Sequence, residues 1–158
     1  MRKRVVLLIL IMINLGTIFF FSHQNATAST QLSNALSKHI EVNTPNYEQK
    51  NQGEKNVLHN STQRSLRRAA HVFLFFTLGI LVLLFCLTFG GRWFRSVLCT
   101  VLFGLICAVG DEIHQSFIPG RTAQWSDVGC DMLGIALGLA VTGLICLFVA
   151  LVKQKRAE

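Results

Sequence analysis

Long apolar runs alternate with polar segments along this chain of 158 residues. The apolar runs consist mostly of Leu, Ile, Val, Phe, Ala and Gly, whereas residues 22–68 are dominated by Ser, Asn, Gln, Thr and charged side chains. A helix needs about 20 residues to cross the roughly 30 Å of bilayer hydrocarbon, so runs of this length predict membrane-spanning helices. We predict four of them, at residues 5–21, 69–89, 95–118 and 127–152. The pattern indicates an all-α protein, an integral membrane four-helix bundle that forms one domain over residues 1–158.

This segregation of apolar and polar residues excludes an ordinary cytosolic enzyme and a secreted disulfide scaffold. The five cysteines show no CxxC spacing, and four of them lie in apolar runs, where they act as small hydrophobic side chains. The net charge of +7 would suit a nucleic-acid-binding protein. Eight of the basic residues, however, flank the apolar runs on one side of the predicted bundle, so membrane topology explains the charge better and nucleic acid is not an expected partner.

The basic flanks also predict the orientation of the bundle. Short loops on the cytoplasmic side of a membrane are enriched in Lys and Arg. The flanking residues are Arg2, Lys3, Arg4, Arg92, Arg95, Lys153, Lys155 and Arg156. Both termini are therefore predicted to be cytoplasmic, with residues 22–68 and the loop around residues 111–127 outside.

The first 63 residues allow alternative interpretations. Residues 2–4, the first apolar run and the small residues 26–28 also resemble a secretory signal, and removal of residues 1–28 would leave three helices. Apolar residues recur every four positions over residues 29–41, which is either a short interfacial helix or part of a solvated linker. Residues 46–63 are polar enough to be mobile.

Polar and ionisable residues gather at the predicted outer ends of the four runs. Acidic residues and arginines occur there in similar numbers and can pair. This pairing explains why arginines occur on the outer side, although Lys and Arg usually favour the cytoplasmic side. Ionisable groups within a membrane cost about 2.5–3.5 kcal/mol each at mid-bilayer, and less near its edge. The group is either a polar network that holds the helices together or a binding or catalytic site. As candidate binding residues we select Ser22, Gln24, Arg67, Arg68, His71, Asp111, Glu112, Gln115, Arg121, Asp127 and Asp131.

Two kinds of chemistry are open to this group. Glu112 with His71 or His114 could supply general acid–base catalysis. Asp111, Glu112 and His114 could instead hold a divalent cation, but they lack an established spacing such as HExxH. The sequence therefore predicts neither a metal site nor a cofactor.

Several short motifs follow one another along the chain. They are Phe21-Ser22-x-Gln24, His71, Asp111-Glu112-x-x-Gln115, Pro119-Gly120-Arg121 and Asp127-Val128-x-x-Asp131-x-x-Gly134-x-x-x-Gly138. This succession resembles the VanZ-like family over nearly the whole chain. Two positions depart from the family pattern: Phe75 stands where a tyrosine is frequent, and Asp131 where an asparagine is common. The resemblance implies a multi-pass protein of the bacterial plasma membrane, and the founding member is associated with resistance to the glycopeptide antibiotic teicoplanin.

We therefore expect an envelope protein that presents a polar recess to the outer leaflet. Its expected partners are membrane lipids and an anionic lipid-linked or peptidoglycan-related group. The alternative is a membrane-embedded hydrolase or transferase that acts on a lipid-linked substrate of the cell envelope.

Overall fold

The structure, a computed structural model, describes residues 1–23, 36–119 and 124–156. It contains four long helices, α1 (Arg2–His23), α2 (Gln52–Leu87), α3 (Trp93–Ser116) and α4 (Trp125–Lys155), and no strand occurs among the described residues. Each of the four is long and apolar enough to cross a membrane. The length and composition of these helices thereby confirm the prediction of an all-α membrane protein with four spanning helices.

Helix α2 begins at Gln52, well before the predicted start at residue 69. The Asn51 side chain accepts a hydrogen bond from the Glu54 amide at 2.9 Å, and the Glu54 carboxylate accepts one from the Asn51 amide at 3.0 Å. This capping box satisfies the first free amides of the helix. Residues 52–63, which the sequence assigned to a polar outer loop, are therefore the first turns of α2, because hydropathy locates the membrane-embedded part of a helix and not its polar continuation.

The start of α1 lies beside the end of α2. The Arg4 guanidinium donates a hydrogen bond to the Thr88 carbonyl oxygen at 2.7 Å and lies 4.3 Å from the centroid of the Phe89 ring. Trp93, at the start of α3, packs close to Gly143 of α4. The predicted cytoplasmic flanks thus share one end of the bundle, here called the basic end. That this end faces the cytoplasm stays a prediction.

Helices α2 and α4 form the most extensive contact in the bundle, and glycines make it close. A Cβ atom added to Gly138 would lie 2.5 Å from the Phe76 carbonyl oxygen, and one added to Gly134 would collide with the Val72 carbonyl oxygen. Small residues at such an interface allow helix backbones to approach closely within a membrane. Ile135 is 1% exposed and packs against glycines of both α2 and α3.

Large apolar side chains cover the outside of the bundle. Leu144, Phe148 and Ile106 are between 67% and 71% exposed, and many other Leu, Ile, Val and Phe residues of the four helices are exposed as well. So large an apolar surface is unfavourable in water and suits contact with lipid tails.

A short helical stretch, residues 36–42, packs on the part of α2 that precedes its apolar run. Gln63 donates a hydrogen bond to Ser37 at 2.9 Å, and His59 pairs with Glu41 at 3.0 Å. The apolar Leu36 and Ile40 side chains are exposed, so the polar side of this stretch contacts α2. Residues 29–35 of the expected interfacial helix lie outside the described residues, and its contact with the membrane stays a prediction.

Candidate functional site

A polar recess lies between α2, α3 and α4 at the end of the bundle opposite the basic end. It encloses about 240 Å³ of space, part of it open to solvent. The residues that line it are Arg67, Arg68, His71, Glu112, Gln115, Asp127, Cys130 and Asp131. The structure thus brings together most of the described residues selected from the sequence.

His71, Asp111 and Asp131 meet at the buried side of this recess. The Nδ1 atom of His71 lies 3.5 Å from Oδ2 of Asp111 and 3.7 Å from Oδ1 of Asp131. Gln115, one turn further along α3, donates a hydrogen bond to Oδ2 of Asp111 at 2.7 Å. None of the three residues that meet here is more than 8% exposed. We call His71, Asp111 and Asp131 the buried trio.

The close contact between α2 and α4 explains why this trio forms. Gly134 packs against the carbonyl oxygen of Val72, which is the residue next to His71. Asp131 stands three residues before Gly134, on the same side of α4. A larger side chain at residue 134 would hold Asp131 away from His71.

The two arginines of the recess differ in their partners. Arg68 pairs with Asp127 through Nη2 at 2.7 Å and Nε at 2.8 Å, and it also donates to the side chains of Gln124 and Ser126 at 3.1 and 3.2 Å. Asp127 lies in the first turn of α4, where the helix dipole favours a negative charge. Arg67 is half-buried, and no carboxylate among the described residues forms an ion pair with it.

Glu112 lines the same recess but is held by the backbone. Its carboxylate accepts a hydrogen bond from the Gln124 amide at 2.8 Å, and the residue is only 5% exposed. The bond joins the end of α3 to the residue that precedes α4. Glu112 therefore connects two helices and also presents an acidic group to the recess.

Other residues selected from the sequence lie elsewhere. His114 contacts α1, where its Nε2 atom lies 3.4 Å from Nδ1 of His23 and its ring stacks on Phe19. Ser22 is fully buried on α1 and does not line the recess. Gln24 and Arg121 lie outside the described residues. Of the two candidate histidines, the structure thus brings only His71 to the recess.

Some polar contacts were missed from the sequence. Gln124 holds both Arg68 and Glu112, yet it lies between segments and carries no motif. Asn14 of α1 donates a hydrogen bond to Thr77 of α2 at 2.7 Å, deep within the apolar runs. The signal for that pair was available, since an amide within an apolar run predicts a partner on a neighbouring helix.

Comparison with known proteins identifies the family of this chain. The family model described as VanZ/LLP1 matches residues 5–149, which include the recess, all of α2 and α3, and most of α1 and α4. No curated protein and no solved structure matches the chain. The chain therefore belongs to the VanZ-like family of multi-pass membrane proteins.

Proposed function

We propose that this VanZ-like protein binds the anionic group of a lipid-linked or peptidoglycan-related component at the recess, on the outer face of the bacterial plasma membrane. By holding that component, it would contribute to resistance against glycopeptide antibiotics of the teicoplanin type. Membership of the VanZ-like family supports the membrane location and the link with antibiotic resistance. The residues of the recess support the binding of an anion.

The contrast between the two arginines of the recess carries this proposal. Arg68 is already neutralised by Asp127, whereas Arg67 lines the recess without forming an ion pair with any described carboxylate. A half-buried guanidinium group is favourable for binding phosphate or carboxylate, because its planar donors match two acceptor oxygens at once. Arg67 is therefore the group that would hold the anion.

The size of the recess indicates which part of a ligand enters it. Pockets for drug-sized molecules usually measure about 300–1,000 Å³, whereas the centre of a water-sized sphere can occupy only about 10 Å³ of this recess. That is room for about one water molecule, so an oxygen atom of a phosphate or carboxylate group would enter the recess, with the remainder of the lipid outside it. A glycopeptide antibiotic does not fit, so the proposed protection acts through a component of the envelope.

Replacement of Arg67 by alanine tests the proposal directly. Purified protein in lipid nanodiscs would be titrated with a polyprenyl diphosphate, and with the matching polyprenol as an uncharged control. Charge-assisted hydrogen bonds are worth about 1.5–3 kcal/mol, so we expect Arg67→Ala to weaken diphosphate binding about ten- to hundredfold. Arg64→Ala is the matched control, because Arg64 is exposed, donates to the Asn60 carbonyl oxygen and does not line the recess.

The same variants would be compared in cells at equal protein abundance. We expect Arg67→Ala, but not Arg64→Ala, to increase susceptibility to teicoplanin. Equal diphosphate and polyprenol affinities in the wild type would refute the anion-binding proposal. Unchanged susceptibility in Arg67→Ala would refute its part in resistance.

The second candidate function is hydrolysis or group transfer on a lipid-linked substrate. Glu112 and His71 line one recess, and this shared position favours them over the pair of Glu112 with His114. Turnover separates the two functions: an enzyme converts a lipid-linked cell-wall precursor, and Glu112→Gln abolishes the product while unfolding stability is retained. A binding protein returns the precursor unchanged.

A further inference from the structure

The buried trio has the composition of a divalent cation site. His71, Asp111 and Asp131 each offer one ligand atom, and these atoms lie within 4.8 Å of one another. One imidazole nitrogen with two carboxylate oxygens is a set that divalent transition-metal ions such as Zn²⁺ and Mn²⁺ accept. The residues come from three different helices, so no spacing in the sequence revealed the set.

The distances within the trio also suit a shared cation. Bonds of about 2.1 Å in a tetrahedral arrangement place neighbouring ligand atoms about 3.4 Å apart. The two separations from Nδ1 of His71 are 3.5 and 3.7 Å. Direct N–H···O hydrogen bonds would instead bring the atoms to about 2.9 Å. Both separations are thus closer to the spacing of two ligands of one cation than to a direct hydrogen bond, and the third separation is no more than 4.8 Å.

The charge of the recess favours a cation as well. Among the described residues, four carboxylates meet there, namely Asp111, Glu112, Asp127 and Asp131, and they face only two guanidinium groups and one imidazole. Arg68 forms its ion pair with Asp127 and not with the trio. The two buried aspartates of the trio therefore have His71 between them. Two buried carboxylates with one imidazole carry excess negative charge, and such charge is costly in a poorly solvated site.

One carboxylate oxygen of the trio has no hydrogen-bond partner among the described residues. Oδ2 of Asp131 is buried and accepts no hydrogen bond from any described residue, and Asp131 itself is 1% exposed and lines the recess. A buried carboxylate oxygen without a donor is unfavourable, and it calls for an unseen partner such as an ion or water. A cation that binds both carboxylate oxygens of Asp131 would supply that partner.

We propose that His71, Asp111 and Asp131 bind one divalent cation of the Zn²⁺ or Mn²⁺ class. Three protein ligands leave at least one coordination position for water or an anionic oxygen. Gln115 would orient Asp111 through its hydrogen bond, as outer partners commonly do for metal ligands. If the recess has the proposed function, on which this step rests, the open coordination position and Arg67 would bind the same phosphate group.

Metal content of the full-length protein is the direct test. Protein purified in detergent without chelators would be analysed by inductively coupled plasma mass spectrometry. A chelated sample would then be titrated with Co²⁺, whose visible absorption reports coordination. We expect about one metal ion per chain in the wild type and at least tenfold weaker Co²⁺ binding in Asp131→Asn. Glu48→Gln is the control, because Glu48 is an exposed carboxylate that does not line the recess, and this variant should keep the metal.

The wild type also provides a test that needs no variant. Chelation should lower its unfolding temperature and Zn²⁺ should restore it, because a ligand that binds only the folded state stabilises that state. A metal-free wild type without a Co²⁺ spectrum would overturn the inference, and so would full metal content in Asp131→Asn. Arg67→Ala distinguishes this inference from the proposed function: it should retain the metal even if it no longer binds diphosphate, and loss of the metal in this variant would overturn a cation site formed by the trio alone.

Discussion

Replacing Gly134 by alanine tests the close contact between α2 and α4 that forms the recess. The added Cβ would collide with the Val72 carbonyl oxygen, and it would lie 3.0 Å from the Phe76 amide nitrogen and 3.1 Å from Cβ of Phe75. Two of these three atoms belong to the backbone and cannot rotate away. The helices must therefore separate by roughly 0.5–1 Å, a gap that removes a quarter to a half of the dispersion energy of the affected contacts.

The expected cost follows from this geometry. Overpacking of a well-packed interface typically costs about 1–3 kcal/mol, and the better helix propensity of alanine returns at most about 1 kcal/mol of that. We expect the free energy of unfolding of Gly134→Ala, measured by titration with SDS in mixed micelles, to fall by about 1–2 kcal/mol. Co²⁺ binding should weaken in parallel, because Asp131 moves with α4.

Gly129→Ala is the matched control for this substitution. Gly129 lies on the same helix, and a Cβ added there meets nothing within 4 Å. It should leave stability unchanged or raise it slightly. If Gly134→Ala behaved like Gly129→Ala, the close approach of α2 and α4 would be refuted, and with it the packing reason for the trio.

Three further predictions concern other contacts. The coupling energy between Arg68→Ala and Asp127→Ala in a double-mutant cycle should be about 0.5–1 kcal/mol and should shrink at high salt, because Arg68 is partly exposed; a value of zero at low salt would contradict the pairing. Thr77→Val should destabilise the bundle by about 0.6–1.7 kcal/mol by removing the partner of Asn14, and adding Asn14→Leu should recover most of that loss; no recovery would contradict the contact. Fluorescent-protein fusions at either end of the chain should fluoresce and alkaline phosphatase fusions should be inactive, because basic flanks favour the cytoplasm; the opposite pattern would reverse the predicted orientation.

The polar residues at the end of α3 show how far the sequence alone could lead. Helical spacing of three and four residues predicts that Asp111, His114 and Gln115 share one face of α3. The structure directs Asp111 and Gln115 toward α2 and α4, and His114 toward His23 of α1. Adjacent residues on a helix differ by about 100° in direction, so the rotation of α3 decides which neighbour each one meets. That rotation depends on packing with the other helices.

The side chains that could together hold a cation differ between sequence and structure for the same reason, although the sequence predicted no metal site. From spacing along one helix, the candidate set was Asp111, Glu112 and His114. In the structure, Asp111 lies beside His71 of α2 and Asp131 of α4. Glu112 instead accepts a hydrogen bond from the Gln124 backbone amide. A site built from three separate helices leaves no local signature in the chain.

By itself, the sequence determined the four membrane helices and the end of the bundle where charge collects. Both follow from local physics, since hydrocarbon thickness sets the length of an apolar run and solvation drives charged groups toward its ends. Only the tertiary structure decided which of those charges meet. Gly134 and Gly138 allow the backbone of α4 to lie close to that of α2. The distance between these helices and their rotation place Asp131 beside His71, whereas Arg67 forms no ion pair with a carboxylate of the described residues. Such pairings depend on the relative positions of whole helices, which no short segment of the chain encodes.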